Sequence, residues 1–438
     1  SSSRFGPTPP LGLGLQPRRA GPDLRSGMLP TWLSDLRGAS LGLLLACAAH
    51  AAGWRCAPLV YGLLGVCSVG FGFSIAFYVH TTRVVFNRKP NRSLGAYYQH
   101  FMLTRPLEAA WRFLTAPLRV LPDFHILGET RTGTTTLSSY LREIGCIGAF
   151  SPWIVPFASD KESFYFAGHY FGFVHPAAYR MCFPLKITMW LRRLVYGKAS
   201  PVFDGCASHL NAPWAAKLIH SATPGAALVV LLRPPAEQNV SWWKLEMGAH
   251  AWARGMGMGE DFLVKGYPPR SLRAAFEFST SAETEELYAE GELAAEVVLA
   301  GARAGGLRGL AACRLPERLL PFPRGQLAAF ARMGRYADNI QRYVDAFGRE
   351  ALVFVETAQL RRRGGARDAV QQLGRRVAAL GELGDPGPRE PGVLNESGAL
   401  PPELQPDAGL AGELRGYYRE HNARLFGLVG RDLGWNDA

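Results

Sequence analysis

The sequence predicts an α/β fold, with a parallel central sheet flanked by helices in three layers. Short, nearly continuous apolar runs recur at FHILG (124–128), AALVVLL (226–232) and ALVFV (351–355). Runs of this kind mark strands buried on both faces. Helical patterns follow the first two, and alternating strands and helices argue a parallel sheet. A Gly- and Thr-rich turn directly follows the first run. Open α/β sheets bind their ligands at that edge.

Composition narrows the class. The 438 residues are 48% hydrophobic and 19% charged, which excludes a wholly disordered chain. The 49 Gly show no triplet period and the 7 Cys are too few for a disulfide scaffold. Lys and Arg total 48 against 36 Asp and Glu, leaving a formal charge of +12. That balance fits an anionic partner: nucleic acid, a membrane surface, a phosphate cofactor or a polyanionic glycan. It also fits an Arg-rich composition with no function attached.

Residues 1–38 are rich in Ser, Gly, Pro and Arg and read as disordered. Residues 39–80 read as a transmembrane anchor. Its stretch 57–79 runs 23 residues without a charge, enough to cross a bilayer of about 30 Å. The shorter apolar run 40–53 leaves one span or two open. Arg37 and Arg55 precede the span, and Arg83, Arg88, Lys89 and Arg92 follow it. Counted simply, that places the C-terminal side in the cytosol, although large domains translocate despite flanking charge. Residues 81–117 read as a stem, and 118–438 as the catalytic domain. Within that domain, 245–330 is helix-prone with no clear strand, 381–406 is a Pro/Gly loop, and 408–427 is an amphipathic terminal helix.

The strongest motif is GETRTGTTT (128–136), placed after a strand and opening a helix. Backbone N–H groups of such a turn and the helix N-terminus cradle a phosphate, giving a P-loop-like fold. The Walker spacing GxxxxGK[ST] puts Thr134 where the Lys belongs. That argues against nucleoside triphosphate hydrolysis and for a ligand with one 5′-phosphate. A second motif, RPPAEQNVS (233–241), follows the second strand. Its Arg233 and Ser241 suit another phosphate. The third is KESFYF (161–166), where Lys161 and Glu162 could serve as a base with an electrophilic helper.

No CxxC pair or other metal-ligand spacing occurs, so no metal is expected. Sequons lie at Asn91, Asn239 and Asn395, and Asn239, inside the second motif, is expected to stay unmodified. Trp242 and Trp243 read first as buried helix aromatics. His169, His175, His209 and His250 are candidates for acceptor contact only, and Arg361, Arg362 and Arg363 read as a solvated helix end.

These motifs resemble those of sulfotransferases that use 3′-phosphoadenosine 5′-phosphosulfate (PAPS). ILGETRTGTTTL is similar to their 5′-phosphosulfate loop, LVVLLRPPAEQNVSWWK to their 3′-phosphate motif, and KESFYF to the Lys-Glu-x-x-Phe-Phe segment of heparan sulfate sulfotransferases. GRYADNIQRY (334–343), FGREALVFVE (347–356) and LRGYYREHNARLFGLVGRDLGW (414–435) resemble later segments in the same order. The likeness spans about 120–438 and is nearest to the Golgi N- and 3-O-sulfotransferase types. It implies PAPS as co-substrate, no metal, a glycan acceptor, no nucleic-acid partner, and a single-pass Golgi membrane protein with a lumenal catalytic domain.

Carried over by residue, the resemblance gives Glu162 the role of base, with Lys161 beside it. Arg131 stands for the usual loop Lys. Thr132, Gly133, Thr134, Thr135 and Thr136 would bind the 5′-phosphate, and Arg233 and Ser241 the 3′-phosphate. Two departures stand out. The family's Glu-Lys-Ser/Thr-Pro segment is here Asp204-Gly-Cys-Ala, with Gly205 at the Lys position, and its Lys/Gly-rich C-terminal loop is here PGVLNES (391–397). The first leaves the acceptor open between a carbohydrate and a lipid, small metabolite or protein tyrosine. A nucleotide kinase lacks its Lys at Thr134. An inactive anion- or nucleotide-binding membrane protein is the reading from another class. Nucleic-acid binding has no recognised module to support it.

Overall fold

The computed structural model describes residues 111–150, 161–167, 173–255, 271–316, 319, 326–381, 383 and 408–436. Five strands form one sheet among these residues: β1 (Phe124–Gly128), β2 (Ile147–Gly148), β3 (Val202–Asp204), β4 (Ala227–Leu232) and β5 (Leu352–Glu356). The order is β2-β3-β1-β4-β5, and every pairing is parallel. The three apolar runs are thus β1, β4 and β5, each within a residue of its expected bounds. Strands β2 and β3 were not expected. At two and three residues they are too short to show a hydrophobic period.

The strands are continuous in hydrophobicity because both faces of the sheet are covered. Successive side chains of a strand point to opposite faces. On β4, Leu228, Val230 and Leu232 join one core, while Val229 and Leu231 join the other. Helix α1 (Thr134–Glu143) supplies Leu137, Tyr140 and Leu141 to the second core. Helices α2 (Lys186–Tyr196) and α3 (Ala215–Ala222) follow, and α3 brings Leu218 and Ile219 to the first core. Three layers result, as the sequence predicts.

The region without an expected strand is helical where it is described. It holds α4 (Pro235–Gly255), α5 (Leu272–Ser279), α6 (Ala282–Ala304), α7 (Gly306–Ala312) and α8 (Gln326–Met333). Next come α9 (Tyr336–Phe347), then α10 (Thr357–Arg361), α11 (Gly365–Gly374) and α12 (Ala378–Gly381) after β5. The terminal helix α13 spans Ala408–Val429, against an expected 408–427. Trp242 and Trp243 of α4 are buried with Phe330 of α8 and with Leu414 and Tyr418 of α13, the core role expected of them.

No helix among the described residues is long and apolar enough to cross a membrane. The stretches 40–53 and 57–79, the stem up to residue 110, most of the loop 381–406, and Asn91 and Asn395 lie outside the described residues. Cys146, Cys182, Cys206 and Cys313 are all buried.

One polar contact ties α4 to the end of the chain. The Tyr418 Oη lies 2.5 Å from Asn239 Oδ1 and 2.8 Å from Ala331 O, and the Asn239 amide donates to Phe330 O at 2.9 Å. Asn239 is wholly buried, so its sequon is closed to a glycan. Tyr418→Phe leaves these acceptors without their donor. It is expected to lower stability by about 1–3 kcal/mol, measured by urea denaturation.

Candidate active site

The site is built on the parallel pairing of β1 with β4, which runs from Phe124 opposite Ala227 to Gly128 opposite Leu231. Both strands therefore end at one edge, and the loops leaving them meet there. A Cβ at Gly128 would stand 2.7 Å from Thr132 Oγ1 and 3.0 Å from Leu231 Cβ, so the first turn needs glycine. Gly133 (φ +97°) caps α1 in the left-handed region. Arg131 is left-handed too (φ +77°). Such backbone in a non-glycine residue costs energy and persists only when its surroundings fix it.

Those surroundings are the second motif. Arg131 Nε donates to Ser241 Oγ at 3.0 Å, and Arg233 Nη1 donates to Arg131 O at 3.2 Å. Gln238 Nε2 donates to Thr130 O at 2.7 Å. Thr357, which opens α10 after β5, has its Oγ1 2.6 Å from Thr132 O and 3.1 Å from Leu232 O. Three strand ends thus hold one loop. Burial, and then the neighbouring Arg233 charge, lower the Arg131 pKa. Two guanidiniums held this close favour an anion between them.

The expected cofactor residues divide. Arg131, Arg233 and Ser241 come together, and Gly133 and Thr134 lie at the mouth of α1. Thr135 is half-buried and Thr136 is buried in its first turn. The Thr132 hydroxyl is turned away, donating to Glu129 O at 2.8 Å, which leaves only its main chain for a ligand.

The third motif reaches the same loop from the other side. Lys161 Nζ contacts Glu162 Oε1, donates to Gly205 O at 3.1 Å, and lies 3.4 Å from Thr134 Oγ1. An ammonium therefore reaches the residue that stands at the Walker Lys position, supplied from elsewhere in the chain. The segment is held by Asp204, whose carboxylate accepts from Ser163 N at 3.0 Å, Ser163 Oγ at 2.5 Å and Tyr179 Oη at 2.5 Å. Phe164 turns with φ +52° and, with Arg131, is one of two non-glycine residues at positive φ among those described.

Gly205, where the resemblance expects Lys, is crowded for a side chain. A Cβ there would stand 2.9 Å from Ser138 Oγ and 3.3 Å from Lys161 O. His209 is wholly buried and so is no acceptor contact, a correction to the sequence reading. His175 is half-buried, and His169 lies outside the described residues. Arg361, Arg362 and Arg363 are exposed at a helix end, as expected.

Sequence reasoning missed the polar groups beneath the loop. Glu129 is wholly buried. It accepts from Asn211 Nδ2 at 3.0 Å and Asn339 Nδ2 at 3.4 Å, while Arg342 Nη2 donates to Asn339 Oδ1 at 2.7 Å. Asn339 and Arg342 lie in GRYADNIQRY, on the α9 face toward the sheet, a spacing of three that was legible as one helix face. Also missed was the group His125, Asp204 and His209, whose ligand atoms lie within 4.8 Å of one another. Burial lowers the pKa of His125 to about 4 and of His209 to about 3, so both rings are neutral at physiological pH.

The fold and this edge define an α/β protein whose Gly- and Thr-rich loop meets Arg233 and Ser241 beside a Lys–carboxylate pair. No family model matches the chain. A stretch of 124 residues is 27% identical to the bifunctional heparan sulfate N-deacetylase/N-sulfotransferase 1 of Caenorhabditis elegans, covering 28% of this chain and 13% of that protein. The chain thus spans a small part of the curated relative's length. That relative bears out the resemblance to heparan sulfate sulfotransferases read from the motifs. A solved sulfotransferase from Alicyclobacillus acidocaldarius aligns over 72% of this chain and 99% of its own, at 21% identity and a TM-score of 0.37.

Burial pushes the Glu129 carboxyl well above its ordinary value of 4.5, against the Arg342 charge and the two amides. Its share of stability is therefore fully present below that value and is lost as pH rises toward the folded-state pKa. Glu129→Gln is expected to flatten the fall in stability as pH rises above the ordinary value of 4.5, read by urea denaturation over a series of pH values.

Proposed function

We propose that the chain is a sulfotransferase that moves a sulfuryl group from PAPS to a hydroxyl or amine of a carbohydrate acceptor of the heparan sulfate type. The observation that carries this is the meeting of Arg131 with Ser241 and Arg233 at the shared end of β1 and β4, with Lys161 and Glu162 against the same loop. The loop fits a 5′-phosphosulfate: a left-handed Gly133 leads into the N-terminus of α1, and the Arg131 side chain belongs to the same loop. Arg233 and Ser241, one helical stretch apart on the neighbouring strand end, fit a 3′-phosphate.

The transfer is an in-line displacement at sulfur. Glu162 accepts the proton of the acceptor hydroxyl or amine as the new bond to sulfur forms. Arg131, Lys161 and the loop N–H groups meet the charge that develops on the leaving bisphosphate. When Lys161 turns from Glu162 to that anion, the carboxylate is released for the acceptor proton. The curated relative's name supports a heparan sulfate acceptor by likeness. PAPS, a Golgi site and a lumenal domain rest on the resemblance of the motifs, and the uncharged stretch 57–79 supports a membrane anchor.

The full chain is to be purified and incubated with radiolabelled PAPS and a panel of heparan precursors, glycolipids, small phenols and tyrosine peptides. Transfer to the glycans is expected. Transfer to another class alone would reassign the acceptor, and no PAPS binding with no transfer would overturn the proposal.

Two variants divide the roles. Glu162→Gln is expected to cut transfer by about 10²- to 10⁴-fold while keeping adenosine 3′,5′-bisphosphate affinity, checked by rate assay and calorimetry. Arg233→Ala is expected to weaken that affinity by about 10- to 100-fold, since it removes charge-assisted hydrogen bonds.

A further inference from the structure

We infer that His125, Asp204 and His209 form a closed site for one divalent transition-metal ion, with zinc the best fit to the donor set. The fold itself places two of the three. His125 of β1 and Asp204 of β3 are direct partners across the parallel pair, so their side chains leave the same face of the sheet. His209 arrives from the turn after β3, with its Nδ1 3.9 Å from Asp204 Oδ2. One ligand atom from each residue lies within 4.8 Å of the other two, and none of the three residues is exposed.

The second observation is independent of this clustering. His125 Nδ1 and both ring nitrogens of His209 are buried without a hydrogen-bond partner. Buried polar atoms are rarely left so, and three on two rings that cluster with one carboxylate point to a ligand. The hydrogen bonds also fix a tautomer. Thr223 Oγ1 donates to Ile219 O at 2.9 Å, so its lone pairs accept from His125 Nε2 at 3.0 Å. The proton of His125 is therefore on Nε2, and Nδ1 presents a lone pair. A ligating histidine held by a hydrogen bond from its other nitrogen is the usual outer-shell arrangement.

Two imidazoles and a carboxylate suit zinc, and less closely cobalt, nickel or iron. The Tyr179 Oη, 2.5 Å from Asp204 Oδ2, is an oxygen beside this set of three donors. With no open face, the ion is structural. It would brace Asp204, which holds Ser163 next to Lys161 and Glu162.

The test uses the full chain, purified without a metal-affinity tag. Metal content by mass spectrometry should show about one zinc more in the wild type than in His209→Phe, which fills the space and removes both orphaned nitrogens. Removing zinc with a chelator and adding it back should move the wild-type Tm by about 5 °C or more and leave the variant unmoved. Equal metal in the two proteins, or a wild-type Tm indifferent to zinc, would mean that a water molecule occupies the site and would overturn the inference. If His209→Phe does not fold, X-ray absorption on the zinc-loaded wild type decides. Two imidazoles with oxygen at about 2.0–2.1 Å support the site, and sulfur or solvent ligands alone overturn it.

Discussion

Everything at this site depends on the in-register pairing of β1 with β4. Parallel strands that end together release their loops on one side, and here those loops carry Arg131 and Arg233. Arg131 sits in an unfavourable backbone region, which no local preference of its sequence would select. It is held there by contacts with residues 102 and 110 positions away. Thr357 after β5 adds a third tie, so shifting any one of three adjacent strands would loosen the loop. The strain is thus carried by the sheet, and the cradle exists only in the folded chain.

Beneath that edge the protein buries charge and hydrogen-bonding groups that an apolar core would avoid. Glu129 and Asp204 are both wholly buried carboxyl groups. The first is surrounded by the Asn211 and Asn339 amides and the Arg342 charge, the second by Ser163 and Tyr179. Such groups are costly unless their partners are in place, and removing one partner costs more than the bond contributed. Here each orients a segment of the site: Glu129 the start of the loop, Asp204 the Lys161–Glu162 stretch. Their value lies in position more than in stability.

The sheet was legible where its strands are long and fully apolar. FHILG, AALVVLL and ALVFV stand out because both faces are covered, and each became a strand. Ile147–Gly148 and Val202–Asp204 are defined by pairing with a neighbour, which leaves no period to read. The three motifs were legible because their chemistry needs particular residues at short spacing. Gln238, Thr357 and Asn211 were not, since each acts across more than 80 residues of chain on a loop it does not belong to. His125 hid inside an apolar strand, and His209, read as a candidate for acceptor contact, lies in the core after β3.

Two positions that differ from known patterns meet at Lys161. Thr134 stands at the Walker Lys position, and Gly205 stands where the resemblance expects a Lys. Lys161 joins the two, reaching Thr134 Oγ1 with its ammonium while donating to Gly205 O. The Gly205 N–H donates back to Lys161 O at 2.6 Å, so the two residues approach backbone to backbone. A side chain at 205 would meet Ser138 and the Lys161 carbonyl. A side chain at 205 would therefore require the Ser138 hydroxyl to turn and the Lys161 carbonyl to give by a few tenths of an ångström. The Lys161 ammonium also contacts the Glu162 carboxylate. Thr134, which follows β1, and Gly205, which follows β3, are thus tied through one side chain at the ends of two paired strands.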